Sequence, residues 1–416
     1  MTAGQTPILV INCGSSSLKY EIFAMPEQTS LGRGLVERIG EPSGRLTQQG
    51  EATGYLLEEH IPDHQAALQL MAQAITHKEK GLLPSLADIQ GIGHRVVHGG
   101  EHYSASVLID DKVTTAIEAN SELAPLHNPA NLAGIRAAAA LMPNLDQVAV
   151  FDTAFHQTLP PWAYYYGLPL KLYNTYKIRR YGFHGTSHRY VAGKAISLLK
   201  RSPENTNVIS CHLGNGASVT AIENGCSVDT SMGFTPLEGL MMGTRSGDID
   251  PSIIFFLLER GYTPEQLNTM LNKKSGLLGL SGISKDLRDV EQAAQAGNQA
   301  AKHALEAYAY RIKKYIGAYA AVLVKVDILV FTGGIGQHGV SMRGRICRRL
   351  ENIGIFMDYD RNQEVGSATG TISTNYSRTT IVVVPTREEL QIAIDTFKLI
   401  RGESQKTIPK KQEVII

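Results

Sequence analysis

The sequence has few cysteines, no excess of charge of either sign and no long hydrophobic run. Its four cysteines form no C-x-x-C pair, which indicates reduced thiols in a cytoplasmic protein. A formal net charge of +1 gives no electrostatic reason to expect nucleic acid or an anionic membrane as partner. The longest apolar stretch, 320–331, is broken by Lys325 and Asp327 and is too short to span a bilayer. Because the N-terminus also lacks a signal-peptide pattern, we expect a cytoplasmic protein.

Signatures of a side-chain nucleophile are missing as well. The chain contains no G-x-S-x-G, no reactive pair of cysteines and no lysine nucleophile motif. The chemistry must therefore be sought in other residues.

Short β-type runs alternate with amphipathic helical stretches, a pattern typical of an α/β protein. The 416 residues suffice for two domains or more, each with its own core. The predicted strands cover 8–12, 147–152, 207–213, 218–223, 327–333 and 380–385, and the clearest predicted helices cover 128–142, 187–200 and 297–323. The last helix is long and Ala-rich, so we expect it to cross between domains or to form a subunit interface.

Residues 8–23, ILVINCGSSSLKYEIF, place a turn of small residues between two β-type runs. This is not a P-loop, because the second glycine of G-x-x-x-x-G-K-[ST] is missing and the alternation after Lys19 predicts a strand. Residues 209–225 repeat the layout, which indicates duplicated domains. Backbone N–H groups of such turns can approach phosphate oxygens closely, because no side chains block them.

A third glycine cluster, TGGIGQHG at 332–339, follows a predicted strand. Residues 334–339 match G-x-G-x-x-G, and Asp358 stands at roughly the distance of the acidic residue in a dinucleotide-binding fingerprint. A backbone platform for an adenosine explains the same glycines. We prefer that interpretation, because the cluster does not open a domain.

Several polar residues stand at the ends of predicted strands or at the start of helices. Arg95, inside GHRVVHGG, requires an anion, because an unpaired charge among apolar neighbours is costly. Asp152 ends a strand, where an acidic residue often faces a ligand crevice, although a turn residue is the alternative. Glu388 lies in the first turn of a helix, where a capping box of Thr386 and Glu389 explains the local pattern equally well.

The histidines include two pairs with i, i+4 spacing, His94/His98 and His184/His188. Such spacing can indicate zinc, but neither pair shows H-E-x-x-H, and Gly185 argues against a helix at the second pair.

Taken together, the phosphate-type turns, two arginines, several histidines and scattered acidic residues form a set suited to phosphoryl transfer. Its transition state spreads negative charge over oxygens, so positioning and cationic clamps dominate catalysis.

The motifs INCGSSSLKY, GHRVVHGG, DTAFH, YGFHGTSH, HLGNGAS, DTSMGFTPLEGLMMGTRSGDIDP and FTGGIG, in this order, resemble the acetate kinase family up to about residue 400. The resemblance implies an α/β fold of two duplicated ribonuclease H-like domains, of the actin, Hsp70 and sugar kinase type, with an interdomain cleft. The N-terminal domain would comprise 1–152 and 386–416, and the nucleotide-binding domain 153–385. The implied reaction is reversible transfer from ATP to acetate, with Mg²⁺, replaceable by Mn²⁺, in a homodimer without nucleic acid or membrane partners.

The resemblance also implies roles for individual residues. The catalytic residues would be Arg95, Asp152, His184 and Arg245, of which His184 and Arg245 stabilise the transition state, with His127 and His212 nearby. Asn12 and Glu388 would serve the metal. The acyl substrate would contact Arg95, Val97, Leu126, Phe183 and Pro236. The nucleotide would bind Ser15, Ser17, Lys19, His212, Leu213, Gly214, Asn215, Gly216, Asp286, Leu287, Arg288, Gly333, Gly334, Ile335 and Gly336.

Chemistry supports one feature of this assignment. A short carboxylic acid with a pKa of about 4 is ionised at neutral pH, so no general base is needed. We therefore assign Asp152 to metal binding or positioning.

The chain departs from the family pattern at three positions. Gln337 and His338 replace a common Glu-Asn, and Arg387 replaces a frequent Asn, which adds a positive charge beside Glu388. The tail 402–416 matches no motif.

Other functions remain as alternatives. Propionate is one, because a methylene changes binding by only about 1–3 kcal/mol, although Val97 favours acetate. An actin- or Hsp70-like conformational ATPase would not need Arg95 and Arg245, and a nicotinamide-dependent oxidoreductase would rest on GIGQHG alone.

Overall fold

The structure is a computed structural model that describes residues 4–50, 54–125 and 127–403. It contains two compact units. Among the described residues, unit 1 comprises those of 4–157 and 387–403, and unit 2 comprises 158–386. The domain boundaries predicted from the motifs, after residues 152 and 385, stay a prediction. Leu126 and the tail from residue 404 lie outside the described residues.

Unit 1 is built on one mixed sheet. Its strands are β1 (Thr6–Cys13), β2 (Ser17–Met25), β3 (Thr29–Glu37), β4 (Gly44–Gly50), β5 (Tyr55–Glu59), β6 (Gly91–Val96), β7 (Val107–Leu108) and β8 (Gln147–Phe151). They are arranged in the order β5-β4-β3-β2-β1-β6-β8-β7. The pairs β1/β6 and β6/β8 are parallel, and the remaining pairs are antiparallel. The helices are α1 (His64–Ile75), α2 (Asp111–Ala119), α3 (Asn128–Leu141) and, from the C-terminal part, α15 (Glu388–Ile400).

Side-chain alternation along the strands explains how helices cover both faces of this sheet. Leu9 and Ile11 of β1 pack into a core with α1 and α3, and Ile92 of β6 joins them. The neighbours of Ile92 point the other way, as the period of two requires. They are Gly91 and Gly93, and α15 packs over them so closely that a Cβ at Gly93 would clash with Ile392 and Thr396. These glycines let α15 approach the sheet and so set the position of Glu388.

Unit 2 is built on a second mixed sheet. Its strands are β9 (Asn207–Leu213), β10 (Ala217–Glu223), β11 (Cys226–Thr230), β12 (Ile328–Thr332), β13 (Gly370–Thr371) and β14 (Thr380–Val383), in the order β11-β10-β9-β12-β14-β13. The helices are α4 (Pro161–Tyr164), α5 (Leu170–Tyr176), α6 (Gly185–Leu198), α7 (Ser252–Leu258), α8 (Pro264–Lys273), α9 (Gly276–Ser281), α10 (Leu287–Gln295), α11 (Gln299–Leu323), α12 (Gly333–His338), α13 (Val340–Cys347) and α14 (Tyr359–Val365).

The two sheets repeat one topology. In each sheet, three antiparallel strands are followed by two strands parallel to the third, in the order β3-β2-β1-β6-β8 in unit 1 and β11-β10-β9-β12-β14 in unit 2. A two-residue antiparallel strand, β7 or β13, then forms the edge of the sheet. The two predicted hairpins, β1–β2 and β9–β10, occupy the same place in this scheme. The duplicated α/β fold predicted from the sequence is confirmed.

The predicted strands and helices are all present, but two local expectations are wrong. Gly185 is the first residue of α6, and His184 is its N-cap in the left-handed region at φ 58°, so a helix does begin within the His184/His188 pair. The capping box at α15 does not form. Its N-cap is Arg387, which makes no side-chain capping bond, and the Thr386 hydroxyl hydrogen-bonds to Ser187 instead.

None of the helices in the described part of the chain is both long and apolar enough to cross a membrane.

Candidate active site

Arg95 is the centre of a polar cluster in unit 1. Its Nε and Nη2 donate to the two carboxylate oxygens of Asp152 at 3.1 and 2.6 Å, and Glu388 Oε2 lies 4.0 Å from Nε. Three elements produce this geometry. Arg95 lies in β6, Asp152 directly follows the parallel neighbour β8, and Glu388 opens α15, which packs on β6. The cluster thus lies at the carboxyl ends of parallel strands, where ligand sites of α/β sheets are found.

The charges in this cluster depend on one another. The pKa of Glu388 is raised to about 7, chiefly by burial; Arg95 opposes the rise, and the charges of Asp152 and Glu389 add to it. For Arg95, burial disfavours the charge, but Asp152 and Glu388 outweigh it and raise its pKa above the usual value. Arg95 therefore stays charged, and an additional cation beside Glu388 would be electrostatically favoured.

The predicted metal ligands fit a hard divalent cation. Asn12, in β1, places its Oδ1 3.5 Å from Arg95 Nη1. The same guanidinium binds the carboxylate of Asp152 and lies 4.0 Å from that of Glu388, so one amide oxygen and two carboxylates surround it. No group of three or more His, Cys, Asp or Glu side chains in the described ranges is arranged to hold a metal. Mg²⁺ suits such a set, because it takes oxygen ligands and usually retains waters and phosphate oxygens beside one or two carboxylates.

The β1–β2 turn presents the small residues predicted for phosphate binding. Its backbone is closed by a bond from Gly14 N to Ser17 O at 2.8 Å, which leaves the Ser15 side chain exposed. Lys19, also exposed, is the cross-strand partner of Asn12, and its charge lowers the pKa of Glu388. The structure therefore brings Lys19, Asn12 and Glu388 to one place in unit 1.

Two buried asparagines of α3 hold the loop that follows Arg95, and sequence analysis missed both. Asn131 accepts from Val97 N at 3.1 Å and donates to Cys13 O at 2.7 Å, which ties the ends of β6 and β1 together. Asn128 bonds both the N–H and the C=O of His98. The spacing N-x-x-N at the start of a helix is the signal that could have found them, because i and i+3 share a face.

The departure at Arg387 brings a positive charge that pairs with a carboxylate of β2. Its guanidinium lies 3.8 Å from the Glu21 carboxylate and above the Phe23 ring. The extra charge at this position is therefore paired with Glu21.

In unit 2, three histidines form a network with serines. The rings of His184 and His212 stack with centroids 4.3 Å apart. Ser218 Oγ lies 2.9 Å from His184 Nδ1 and 2.7 Å from His188 Nε2. Ser187 Oγ lies 2.8 Å from His212 Nδ1. The role of Ser218 as a bridge between two rings was not predicted, and no local signal indicates it.

Arg245 lies beside this network and differs from Arg95 in its surroundings. Its Nη1 donates to Pro236 O at 3.3 Å, and it forms no ion pair with a carboxylate among the residues that the structure describes. A Cβ built on Gly216 would lie 3.4 Å from both Arg245 Nη1 and His184 Nε2. The predicted residues Gly216, Arg245 and His184 therefore converge. Burial lowers the pKa of Arg245, as expected for a cation that lacks a counter-ion.

The motif around Arg245 contains structural acids that sequence analysis did not single out. Glu238 accepts from Arg180 Nη2 at 2.7 Å and from the Tyr166 hydroxyl. Asp248 accepts from Gly239 N at 2.8 Å and from Tyr315 at 2.6 Å. These bonds hold the 239–248 segment, in which the bond from Met242 N to Arg245 O closes a tight turn.

The two nucleotide segments predicted in this unit pack against each other. Gly333 has φ +74°, and a Cβ there would lie 2.6 Å from Leu213 O. Thr332 and His212 are register partners in the parallel pair β12/β9, so α12 begins beside the turn 213–216. Asp286, the half-buried N-cap of α10, accepts hydrogen bonds from Arg288, which lower the Asp286 pKa to about 2.

The acyl pocket remains a prediction. Val97 is buried in unit 1, Phe183 is buried in unit 2, and Pro236 is half-buried in unit 2. Leu126 lies outside the described residues. His127 is the N-cap of α3.

Local geometry also bears on two alternative interpretations. Asp358 is the N-cap of α14 and accepts from the amides of Asp360 and Arg361, so its side chain is used in capping. His94 Nε2 bonds Gln147 Oε1 at 2.6 Å, and His98 Nδ1 accepts from Gly100 N, so these ring nitrogens have protein partners.

Each unit thus carries the same sheet and a turn of small residues, and its cationic side chains lie at or near the ends of the central strands. This combination defines a protein of the duplicated actin, Hsp70 and sugar kinase class. Within that class, the model of the Acetokinase family matches residues 7–394, and the chain belongs to this family.

Curated and solved proteins agree with this assignment. A relative from Desulfitobacterium hafniense named acetate kinase is 52% identical over 396 residues, which cover 95% of this chain and 99% of that protein. The crystal structure of Porphyromonas gingivalis acetate kinase is 46% identical with a TM-score of 0.92, and the match covers 95% of this chain and 100% of the other. The crystal structure of a propionate kinase from Francisella tularensis is 42% identical with a TM-score of 0.88, over 94% and 99% of the two chains.

Proposed function

We propose that the chain transfers a phosphoryl group reversibly between ATP and acetate, giving ADP and acetyl phosphate. The observation that carries the proposal is the convergence of Arg245, His184 and Gly216 in unit 2. A half-buried guanidinium that no carboxylate of the described ranges pairs with, beside an imidazole and a backbone turn of small residues, is a site for phosphate oxygens. The near full-length identity to relatives named acetate kinase supports acetate as the acceptor.

The reaction needs no proton transfer at the nucleophile. One oxygen of the acetate carboxylate attacks the γ-phosphorus of ATP and forms the new P–O bond. The bond from the γ-phosphorus to the bridging oxygen breaks, and its electron pair leaves with ADP. Acetate is already ionised at neutral pH, so the obstacle is the approach of two anions.

The residues supply charge and position. Arg95, held by the bidentate bond of Asp152, would bind the acetate carboxylate. Arg245 and His184 would bind the oxygens of the transferring group, where negative charge develops in the transition state. Asp152 is engaged with Arg95 through both oxygens, which supports positioning rather than base catalysis.

The nucleotide would bind unit 2 through the backbone of residues 213–216 and 333–336, with Asp286 and Arg288 at the adenosine. In unit 1, Ser15, Ser17 and Lys19 would contact phosphate. Mg²⁺, or Mn²⁺ in its place, would be held by Asn12 and Glu388 with Asp152 close by, and when bound it would neutralise charge on the phosphate oxygens.

The decisive assay measures carboxylate-dependent formation of an acyl phosphate, which hydroxylamine traps as a hydroxamate. Purified protein, ATP and Mg²⁺ should form hydroxamate with acetate and release an equal amount of ADP. A conformational ATPase would instead release ADP at the same rate without any carboxylic acid. Failure of acetate, propionate and butyrate alike to yield hydroxamate would refute the proposal.

Propionate is the second candidate substrate, favoured by the Francisella relative that is named a propionate kinase. The same assay with both acids decides between them. We expect a higher kcat/KM for acetate than for propionate. Val97 is buried and its backbone N–H is bound by Asn131, so this residue cannot easily move to make room for a larger acid.

We also propose a cytoplasmic homodimer. The buried thiols of Cys13, Cys211 and Cys347 support a reducing compartment. The expected interface on the long helix α11 has little support, because the side chains of Ala304, Tyr308, Ile312 and Ile316 are buried within unit 2. Helix α7 exposes Phe255 and Phe256 by 65% and 51%, and such aromatic exposure is typical of an interaction surface. A two-fold pairing of α7 with its copy would cover both rings at once.

A further inference from the structure

Arg343, in α13, is a buried cation that no proposed step uses. It is fully buried and is the largest of the fully buried side chains in the described part of the chain. None of the described carboxylates forms an ion pair with it, and burial lowers its pKa to about 10. Burying a charge without a counter-ion carries a large desolvation cost, so the structure must compensate Arg343 in another way.

The compensation comes from carbonyl oxygens at the end of a neighbouring helix. Nη1 of Arg343 donates to Gly336 O at 2.9 Å and to Gln337 O at 2.6 Å. Both carbonyls belong to the last turn of α12, where backbone oxygens lack partners within the helix and carry partial negative charge. Arg343 therefore caps the carboxyl end of α12.

The remaining nitrogens of the same guanidinium bind a second segment, α14 and the residue that follows it. Nε donates to Asn362 Oδ1 at 2.8 Å, and Nη2 donates to Gly366 O at 2.8 Å. Gln337 reinforces the link, because its side-chain amide donates to Ser367 O at 3.0 Å. The end of α12 is thus tied to α14 and the residues that follow it.

Helix α12 needs such a tie, because it is six residues long and contains three glycines. A helix of this length is not stable alone, and glycine weakens it further. Its first residue is held by the close contact of Gly333 with the Leu213 backbone. The helix also packs against β9, β12 and α13, and Arg343 adds hydrogen bonds to the carbonyl oxygens of its last turn.

We propose that Arg343 is a positioning residue for the nucleotide site, which it serves by holding the backbone of residues 333–336 in the conformation that receives the adenosine. This inference rests on the proposed function, which assigns 333–336 to nucleotide binding. Arg343 acts through α12 and does not touch the nucleotide. Arginine is required because its planar fork reaches acceptors on two segments simultaneously, whereas a lysine ammonium reaches fewer.

The test compares Arg343→Lys with Arg345→Lys on the same helix. Arg345 is half-buried, with a side chain 32% exposed, and pairs with Glu306, so its exchange is a matched control for charge and helix propensity. Steady-state kinetics with ATP and with acetate measure substrate use. Hydrogen–deuterium exchange of a peptide spanning 333–338, without nucleotide, measures how firmly α12 is held.

We expect Arg343→Lys to raise the KM for ATP about tenfold, because the loss of a few charge-assisted bonds has an effect of this order. The KM for acetate should stay within about twofold and kcat within about threefold, because a positioning role acts on one substrate. Exchange at 333–338 should become faster in Arg343→Lys, and Arg345→Lys should match the parent in every measurement.

Two results would overturn the inference. Unchanged exchange at 333–338 would show that Arg343 does not hold α12. Faster exchange with an unchanged KM for ATP would show that the hold does not serve the nucleotide. Because the exchange is measured without nucleotide, it remains informative even if the parent protein forms no hydroxamate, which is the separate failure of the proposed function.

If Arg343→Lys does not fold, Asn362→Ala provides the milder variant. It removes the acceptor of Arg343 Nε together with the bond from Asn362 Nδ2 to Val340 O, and it leaves the bonds of Arg343 to Gly336 and Gln337 in place. We expect the same pattern at smaller size, with an ATP KM raised about threefold for the loss of one such bond. An ATP KM and an exchange rate equal to those of the parent would count against the inference.

Discussion

Arg95 and Arg245 have the same side chain in opposite electrostatic surroundings. Arg95 is bound by Asp152, which is only 1% exposed, whereas Arg245 has no carboxylate partner among the described residues. Both are proposed to bind anions in the same reaction. Their replacement should therefore have the same effect on turnover and different effects on stability.

Arg245→Ala should lower kcat by about 10³ or more, the size of effect that arginines have on phosphoryl transfer. The free energy of unfolding should change by less than about 1 kcal/mol, because no buried carboxylate loses its partner. Hydroxamate formation and urea unfolding measure the two quantities, with the exposed Arg311→Ala of the same unit as control. Turnover equal to that of the parent would remove Arg245 from the mechanism.

Arg95→Ala should lose turnover to a similar extent and should also lower the free energy of unfolding by about 3 kcal/mol. The reason is that Asp152 remains buried without its counter-ion. Urea unfolding of this variant is compared with that of Arg33→Ala, an exposed arginine of the same unit. An equal free energy of unfolding in the two variants would show that the Arg95–Asp152 pair does not stabilise the fold by this amount.

His94 predicts a pH dependence of stability. Burial lowers its pKa to about 4, so the folded state keeps the ring neutral while the unfolded chain titrates near the ordinary value of 6.5. The contribution of His94 is fully present above about pH 6.5 and is lost as pH falls towards 4, by about 3 kcal/mol at 1.36 kcal/mol per unit. Urea unfolding from pH 7 to 4 should show a flatter profile for His94→Gln. Parallel profiles would contradict this account.

At the scale of the element, α12 and α15 are placed by glycines that admit close backbone contact. Gly93 allows α15 to lie on β6, and Gly333 allows α12 to begin against Leu213. In both helices the proposed functional group stands in the first turn. The position of each proposed functional group therefore depends on a glycine that lets a helix lie close to a strand.

Gly333→Ala should lower the free energy of unfolding by about 2 kcal/mol or more, because the residue has φ +74° and its Cβ would press on the Leu213 backbone. Gly334→Ala is the matched comparison. It adds a methyl group with no heavy atom within 4 Å, inside a helix where alanine is preferred, so stability should stay equal or rise by less than about 1 kcal/mol. Thermal or urea unfolding decides, and similar losses in both would contradict the steric argument.

At the scale of the whole molecule, the proposed homodimer gives a prediction on assembly. Phe256→Glu on α7 should shift the sedimenting species from dimer to monomer, because it places a charge in the surface proposed to pair. Tyr376→Glu, an exposed aromatic elsewhere in unit 2, should leave the dimer intact. Dissociation by Tyr310→Glu on α11 instead would restore the interface expected from the sequence.

The sequence by itself determined the fold class, the family and the secondary structure that carries the motifs. The segments ILVIN and NVISCHL form buried central strands, and their continuous apolar runs are enough to predict this. The turns of small residues that follow them are also visible in the sequence. The long helix, and a helix with Glu388 in its first turn, follow from the same short-range signals. Family membership from 7 to 394 agrees with motifs that the sequence shows in order.

Only the tertiary structure decided which charges are paired. Asp152 reaches Arg95 across 57 positions, Asn131 reaches Cys13 across 118, and Arg343 binds Asn362 across 19. Such contacts depend on strand order and helix packing, which no local pattern encodes. For the same reason Arg95 and Arg245 look alike in the sequence, although Arg95 has a counter-ion and Arg245 has none within the part of the chain that the structure describes. Desolvation and pairing are properties of the folded surroundings, and these set the chemistry of each residue.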